Sequence, residues 1–373
     1  MNGFPEVKKN FGFGCMRLKL TESGEVDLDN FTEMVDRFLA AGFNYFDTAN
    51  PYFGGKSELA IRECLVKRYP RDAYVLANKL SAFSMENPDE VEPFFEHQLQ
   101  ACGVDYFDFY LLHANDDEMD RKFQRLGAYE KVQRFLAEGR IRHLCMSFHD
   151  TPEVLDRILS EHPEIEAVQI QFNYLDYESP EVQSRGVYEV CRKHGKPVIV
   201  MEPVKGGSLA MLNEAAGRVL TDLGGGSPAS YAIRFCAGFE GIFMTLSGMS
   251  DVQQMDDNLS FMTDFVPLNE TEHEAVHRVV EILHGLDLIP CTACRYCTEG
   301  CPQSINIPAL FKRKNELVQF AQQEKLIRRR YANVIGRGGK AKDCIECGQC
   351  EMICPQHLPI RDLLKQVAAV FEA

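Results

Sequence analysis

The chain has 373 residues, more than one domain usually holds, and its 40 Lys and Arg against 55 Asp and Glu leave a formal net charge of -15. That length anticipates a large domain plus a smaller one, and the acidic balance argues against a general role on nucleic acid or anionic membrane surfaces. With 45% hydrophobic and 25% charged residues it belongs with globular chains, and no segment approaches the roughly 18 apolar residues of a membrane span.

From Met1 to Gly14 no basic flank precedes a long apolar stretch, so a cytoplasmic location is expected. Of fourteen cysteines, eight fall in two spaced tetrads that read as metal ligands. Cys15, Cys64, Cys102, Cys145, Cys191 and Cys236 are scattered through apolar stretches and read as buried small hydrophobes.

Between Phe11 and Met262 short apolar runs alternate with helix-period segments. The strand candidates are Phe11 to Met16, Asn44 to Asp47, Tyr74 to Lys79, Phe107 to His113, Ile141 to Ser147, Ala167 to Phe172, Pro197 to Glu202 and Ile242 to Ser247. Amphipathic stretches such as Leu28 to Ala41, Pro88 to Ala101, Ala128 to Glu138 and Pro180 to His194 end at Gly42, Gly103, Gly139 and Gly195, where a helix C-cap favours glycine. Eight such units predict an α/β fold, a (β/α)8 TIM barrel with its site at the C-terminal ends of the strands. After Thr263 the rhythm stops, which places the barrel at residues 1–268 and a C-terminal module at 269–373. A helix over Asn269 to Leu286 leads into the cysteine motifs; between them, Ile307 to Tyr331 reads as one helix and Gly336 to Gly339 as a flexible turn. The run Arg328-Arg329-Arg330 reads as a solvated helix face, with a docking patch for an acidic partner as the alternative.

Asp47, Tyr52, Lys79 and His113 stand at the ends of the second, third and fourth strands, in FDTANPYFGGKSE, YVLANKL and FYLLHAN. A carbonyl that accepts hydride needs a proton on its oxygen, and a tyrosine supplies it if a nearby ammonium lowers its pKa. Lys79 suits that part, Asp47 would hold it, and His113 would orient the carbonyl. The bland alternative is a buried Asp47–Lys79 pair with ordinary rim residues beside it. In these four residues and their order the chain resembles the aldo/keto reductase family over roughly residues 11 to 262. The resemblance implies hydride transfer between a nicotinamide and a small carbonyl or alcohol substrate.

For the cofactor, NADP(H) or NAD(H), the resemblance implies that Gly14, Cys15 and Met16 lie near the nicotinamide and that Ser147 and Gln169 contact its carboxamide. Ser147-Phe148 replaces the family's Ser-Asn, so one amide contact is absent or moves to His149, unless His149 is only the N-terminal residue of a helix. Met201 stands where the family usually has an aromatic platform. In SGMSDVQQMDDN, Asp257 and Asn258 match the adenine-contacting positions, while Gly248 and Gln254 replace the Lys and Arg that meet the 2'-phosphate in many members. Either nucleotide therefore stays open.

The C-terminal run is Cys291-x2-Cys294-x2-Cys297-x3-Cys301-Pro302, repeated as Cys344-x2-Cys347-x2-Cys350-x3-Cys354-Pro355. It resembles dicluster ferredoxins over roughly residues 288 to 360, with an insert of about forty residues. In that pattern the first three cysteines wrap one 4Fe-4S cluster and the fourth ligates the other. Cys291, Cys294, Cys297 and Cys354 are thus expected on one cluster, and Cys344, Cys347, Cys350 and Cys301 on the other. Zinc is the competing reading, since paired C-x2-C motifs also build zinc sites.

Hydride carries two electrons and a 4Fe-4S cluster takes one, and no flavin motif is visible to mediate. Three readings follow. In the first, the enzyme's clusters pass electrons to or from a protein partner. The second is an ordinary NAD(P)H-dependent carbonyl reductase whose clusters staple the C-terminal segment over the barrel mouth. The third is a nucleotide and redox sensor without turnover.

Overall fold

The computed structural model describes residues 3–291 and 293–373, the side chain of Glu299 aside; Met1, where the reading of the N-terminus starts, and Asn2 lie outside the described residues. The chain forms two compact units, Met1–Gly206 with Ala229–Glu270, and Gly207–Pro228 with Thr271–Ala373.

In the first unit, eight parallel strands close a barrel in sequence order. They are β1 (Phe11–Gly14), β2 (Tyr45–Asp47), β3 (Val75–Leu80), β4 (Phe107–Asn115), β5 (Ile141–Phe148), β6 (Ala167–Gln171), β7 (Val198–Met201) and β8 (Ile242–Ser247). All eight expected strands are present, with ends displaced by one or two residues. The helices follow the expected segments, with two differences. Pro88–Glu90 forms a 3-10 turn before the helix Val91–Cys102, and the stretch expected from Pro180 becomes helical only at Ser184, because Gln183 is left-handed at φ 53°.

Register decides what reaches the barrel's upper end. Asp47 pairs with Ala77. Lys79 therefore stands two residues further along β3, on the same face as Ala77 and one rung higher. On β4 the register with β5 shifts between Leu112 and Asn115, and Ala114 within this bulge is left-handed at φ 54°. Such a bulge re-aims side chains, and here it carries His113.

The lower half of the barrel is apolar: Phe4 and Val7 of the N-terminal segment pack with Tyr45, Phe109, Leu111, Phe243 and Met244. His143 ties that segment down, with Nε2 2.7 Å from Glu6 Oε1 and Nδ1 2.8 Å from Glu166 Oε2. Burial disfavours the imidazolium, but the two carboxylates outweigh it and hold the His143 pKa above its ordinary value.

The second unit packs Ile305, Ile307, Leu310, Phe311, Tyr331, Ile360, Leu364 and Val367 into its own core. The single helix expected over 307–331 is two helices, Ile307–Gln319 and Glu324–Ile335, joined by the 3-10 turn Ala321–Gln323. The break falls at Phe320, which leaves helical geometry at φ -134°, ψ 55° and is fully buried. The Gly336–Gly339 segment is a turn, as expected, and ends in a close approach to the 303–305 backbone. Gly339 N–H donates to Ser304 O at 3.0 Å, and a Cβ on Gly339 would lie 2.2 Å from Gln303 O. In the arginine run, Arg328 and Arg329 are exposed and Arg328 pairs with Glu324 at 2.7 Å, whereas Arg330 is half-buried and lies 3.7 Å from Glu316 of the helix Ile307–Gln319. Among the described residues, no helix is long and apolar enough to cross a membrane.

The His143 clamp gives a signed pH dependence. A raised imidazole pKa contributes stability that is complete below the ordinary value of about 6.5 and is lost as pH rises through the folded value. Thermal unfolding of the wild type and of His143→Gln should therefore differ most below the ordinary imidazole pKa and converge as pH rises above it. A difference that grows with pH would rule the clamp out.

Candidate active site and cysteine module

Lys79 is fully buried, with Nζ 2.6 Å from Asp47 Oδ1 and 2.8 Å from the Thr48 carbonyl. Gln169 Nε2 approaches the other Asp47 oxygen at 3.4 Å. Tyr52 opens a 3-10 turn after β2 that is bent by left-handed Phe53 and Gly54, and the Lys79 ammonium lies 5.1 Å from its ring centroid. His113 meets Tyr52 edge-on with ring centroids 6.3 Å apart. Its Nδ1 is 2.5 Å from Ser81 Oγ, and the half-exposed ring of Phe83 lies 5.3 Å away. The four residues singled out in the sequence therefore meet at the C-terminal ends of β2, β3 and β4.

Asp47 and Lys79 are buried, Tyr52 and His113 half-buried, and desolvation is the largest influence on all four. Burial opposes the Lys79 charge, but Asp47 and Tyr52 more than offset that and keep it an ammonium, above its ordinary value. Burial raises the Tyr52 phenol above its ordinary value even though Lys79 pulls it down. The expected lowering by Lys79 is thus present but outweighed, because water no longer solvates a phenolate here. Burial, followed by the Lys79 charge and His149, pushes His113 down to about 2, so its imidazole is neutral.

A polar layer behind Lys79 escaped the sequence reading. Glu58, fully buried, accepts from Asn78 Nδ2 at 2.8 Å, Gln98 Nε2 at 3.1 Å and Asn50 Nδ2 at 2.9 Å. Tyr110 OH donates to Gln98 at 2.6 Å, and Gln98 donates to the Lys79 carbonyl at 3.1 Å. On a helix, Glu58 reads as solvated surface. The available signal was Asn78, a poor strand former beside Lys79.

The expected cofactor residues are more dispersed. Gly14 ends β1 in register with Asp47, Cys15 is buried beside it, and Met16 is half exposed. The Ser147 hydroxyl accepts from Ala114 N–H at 2.7 Å, pinning the β4 bulge while keeping its own proton to donate. His149 precedes the helix Pro152–Glu161, whose N-cap is Thr151, and its N–H bonds to Asn115 O. Met201 ends β7 and is half-buried. Asn258 accepts from Ser247 Oγ at 2.7 Å; Gln254, in the first turn of the helix that Asp251 caps, accepts from Ser250 N–H at 2.9 Å and donates to Asp251 at 3.1 Å; and Asp257 is half-buried on the same helix. Arg17 was missed: its side chain covers Gly248, where a Cβ would meet Arg17 Cγ at 2.8 Å, and its guanidinium lies 3.6 Å from Glu202. A cation thus stands beside the position that lacks the family's usual one.

In the second unit, one cavity is lined by Cys291, Cys294, Cys297 and Cys354, and another by Cys344, Cys347, Cys350 and Cys301. These are the two sets expected from the spacing. Among the described residues, no three metal-ligating side chains converge tightly enough for a single ion. A zinc ion draws thiolates to about 2.3 Å from one point, whereas the corners of a cubane are spread apart, so the donor set fits clusters better. Left-handed residues recur at matching places in both motifs: Ala293, Arg295 and Ser304 in the first, Glu346, Gly348 and His357 in the second. Alternating hand curls a loop so that its N–H groups face inward, the kind of nest that suits an anionic cluster.

The sequence matches the aldo/keto reductase family over residues 10–281 and a 4Fe-4S dicluster domain over residues 290–358. It is 30% identical over 146 residues to norsolorinic acid reductase from Aspergillus flavus, covering 35% of each chain. It is 22% identical over 205 residues to an NADH-specific methylglyoxal reductase from Escherichia coli, covering 50% of this chain and 60% of that one. The chain thus spans between about a third and three fifths of these curated relatives. The fold is similar to that of an aldo-keto reductase from Klebsiella pneumoniae in complex with NADPH, with TM-score 0.59 and 19% identity over 74% of this chain and 95% of that one. An aldo-keto reductase from Bacillus halodurans in its holo form gives TM-score 0.57 and 22% identity over 72% and 91%. With the family's pattern running through nearly the whole barrel, and a dicluster domain after it, the chain belongs to the aldo/keto reductase family.

Proposed function

We propose that this chain is an NAD(P)H-dependent oxidoreductase of small carbonyl compounds, with residues 1–268 as the catalytic barrel. Residues 269–373 form a module for two 4Fe-4S clusters that exchange electrons with a protein partner. The observation that carries the catalytic reading is the buried Asp47–Lys79 pair beneath Tyr52, with neutral His113 alongside. The relatives named above, a norsolorinic acid reductase and an NADH-specific methylglyoxal reductase, support it.

A nicotinamide, when bound, supplies the hydride. Tyr52, kept protonated by burial, donates its proton to the carbonyl oxygen as charge develops there. Lys79, held as an ammonium by Asp47, stabilises the phenolate left behind. His113 hydrogen-bonds the carbonyl oxygen and orients it without competing as an acid. Ser147 and Gln169 would hold a carboxamide, and Gly14, Cys15, Met16 and Met201 would border the ring. Gly248, Gln254, Asp257 and Asn258 would border the adenosine half. A reducing cytoplasm is the compartment that suits thiolate-bound clusters.

Tyr52→Phe should lower carbonyl reduction by about two to four orders of magnitude and leave nucleotide affinity unchanged, because only the proton donor is removed. Turnover retained within a few-fold would take Tyr52 out of the reaction. Cys347→Ser should lower the iron bound after anaerobic reconstitution by about half, since one of two clusters loses a ligand; unchanged iron and an unchanged EPR spectrum would refute the ligand sets. Anaerobic titration of the loaded protein with NADH and then NADPH, followed by visible absorbance and EPR, separates the electron-transfer role from a structural one. Cluster bleaching by either nucleotide supports exchange between the two units. Clusters that no nucleotide or external donor reduces would overturn it.

A further inference from the structure

The neutral His113 ring carries one N–H, and which nitrogen holds it decides whether the ring donates to or repels a carbonyl oxygen. We propose that Ser81 is a positioning residue that fixes His113 as the Nε2–H tautomer and so makes it a hydrogen-bond donor to the substrate oxygen. This rests on the reading above, in which His113 orients the carbonyl.

Ser81 directly follows β3, is 6% exposed, and places Oγ 2.5 Å from His113 Nδ1. Among the described residues this is the contact the structure gives its hydroxyl. If Nδ1 carried the proton and donated to Oγ, the serine O–H would be left buried without an acceptor, and Nε2 would present a lone pair. With the serine donating into Nδ1, both groups are satisfied and Nε2–H remains to be donated. The surroundings keep the ring neutral, so that it holds a single proton to place. Lys79 of β3 and His149, after β5, disfavour a second proton, and Tyr52 and Phe83 add aromatic surface. The β4 bulge fixes the backbone beneath the ring, with Ala114 N–H held by Ser147 Oγ at 2.7 Å. A developing oxyanion is stabilised by preorganised donors, so a lone pair at Nε2 would oppose the reaction.

The test uses the full-length, cluster-loaded protein with nitrogen-15 labelled histidine, in the wild type, Ser81→Ala and Ser81→Thr. Two-bond proton–nitrogen spectra should show His113 with a pyrrole-like Nε2 and a pyridine-like Nδ1 in the wild type. Ser81→Ala should shift the ring toward a mixture of tautomers and lower kcat for carbonyl reduction about ten-fold or more, with nucleotide Kd unchanged; Ser81→Thr, which keeps the hydroxyl, should restore both. A wild-type His113 protonated on Nδ1 overturns the proposal, as does a Ser81→Ala protein unchanged in either tautomer or kcat. If Tyr52→Phe keeps its turnover while His113 still shows Nε2–H, the reaction assignment fails and the tautomer assignment stands.

Discussion

The Asp47–Lys79 ion pair sits where water has been removed, and much of the barrel's upper end is arranged around it. Two charges taken out of water are tolerable only if each remaining polar atom finds a partner, and removing one member typically costs about 3–5 kcal/mol. The Thr48 carbonyl and the Gln169 amide complete the inner set. Behind it, Gln98 holds the Lys79 carbonyl, and Glu58 gathers the amides of Asn78, Gln98 and Asn50. The same desolvation that makes the pair expensive keeps Tyr52 protonated and His113 neutral, so the structural demand and the chemical one have a single origin.

Backbone strain follows function in both units. Left-handed residues other than glycine, which cost about 1–3 kcal/mol each where the fold imposes them, gather where side chains must be aimed. On the barrel they are Phe53 beside Tyr52, Ala114 beside His113, Glu202 and Lys205 after β7, and, away from these, Gln183 at the start of the helix Ser184–Lys193. In the module they are Ala293 and Ser304 in the first cysteine motif and Glu346 and His357 at the matching places of the second, while Arg295 in the first is matched by the left-handed Gly348 in the second. That the same conformation appears with arginine at one place and glycine at the other shows that the loop geometry is imposed by the motif and not by the residue's own preference.

The departures from the family pattern are local and chemically linked. Gly248 lacks the family's cation, and the same absence of a side chain opens the space that Arg17 occupies. Arg17 is in turn paired with Glu202, so a positive charge is present near that loop but already partnered. That ion pair is partly exposed, and such pairs are worth little in water.

The sequence by itself determined the repeating units and the two cysteine motifs. Period-two and period-3.6 apolar patterns and glycine punctuation are local consequences of backbone geometry, and Asp47, Tyr52, Lys79 and His113 follow directly from them as strand-end residues. It likewise carried the grouping of the cysteines into two sets that each take their fourth member from the other motif, the same grouping that lines the two cavities. Tertiary structure alone decided the rest. The helix break at Phe320 and the packed Gly339 come from burial against distant segments, which no local window contains. The Glu58 layer and the Ser81–His113 contact join residues 8 to 40 positions apart on different elements. The sign of the Tyr52 shift depends on how completely the fold removes water around Lys79, and desolvation is a property of the packed molecule rather than of any residue in it.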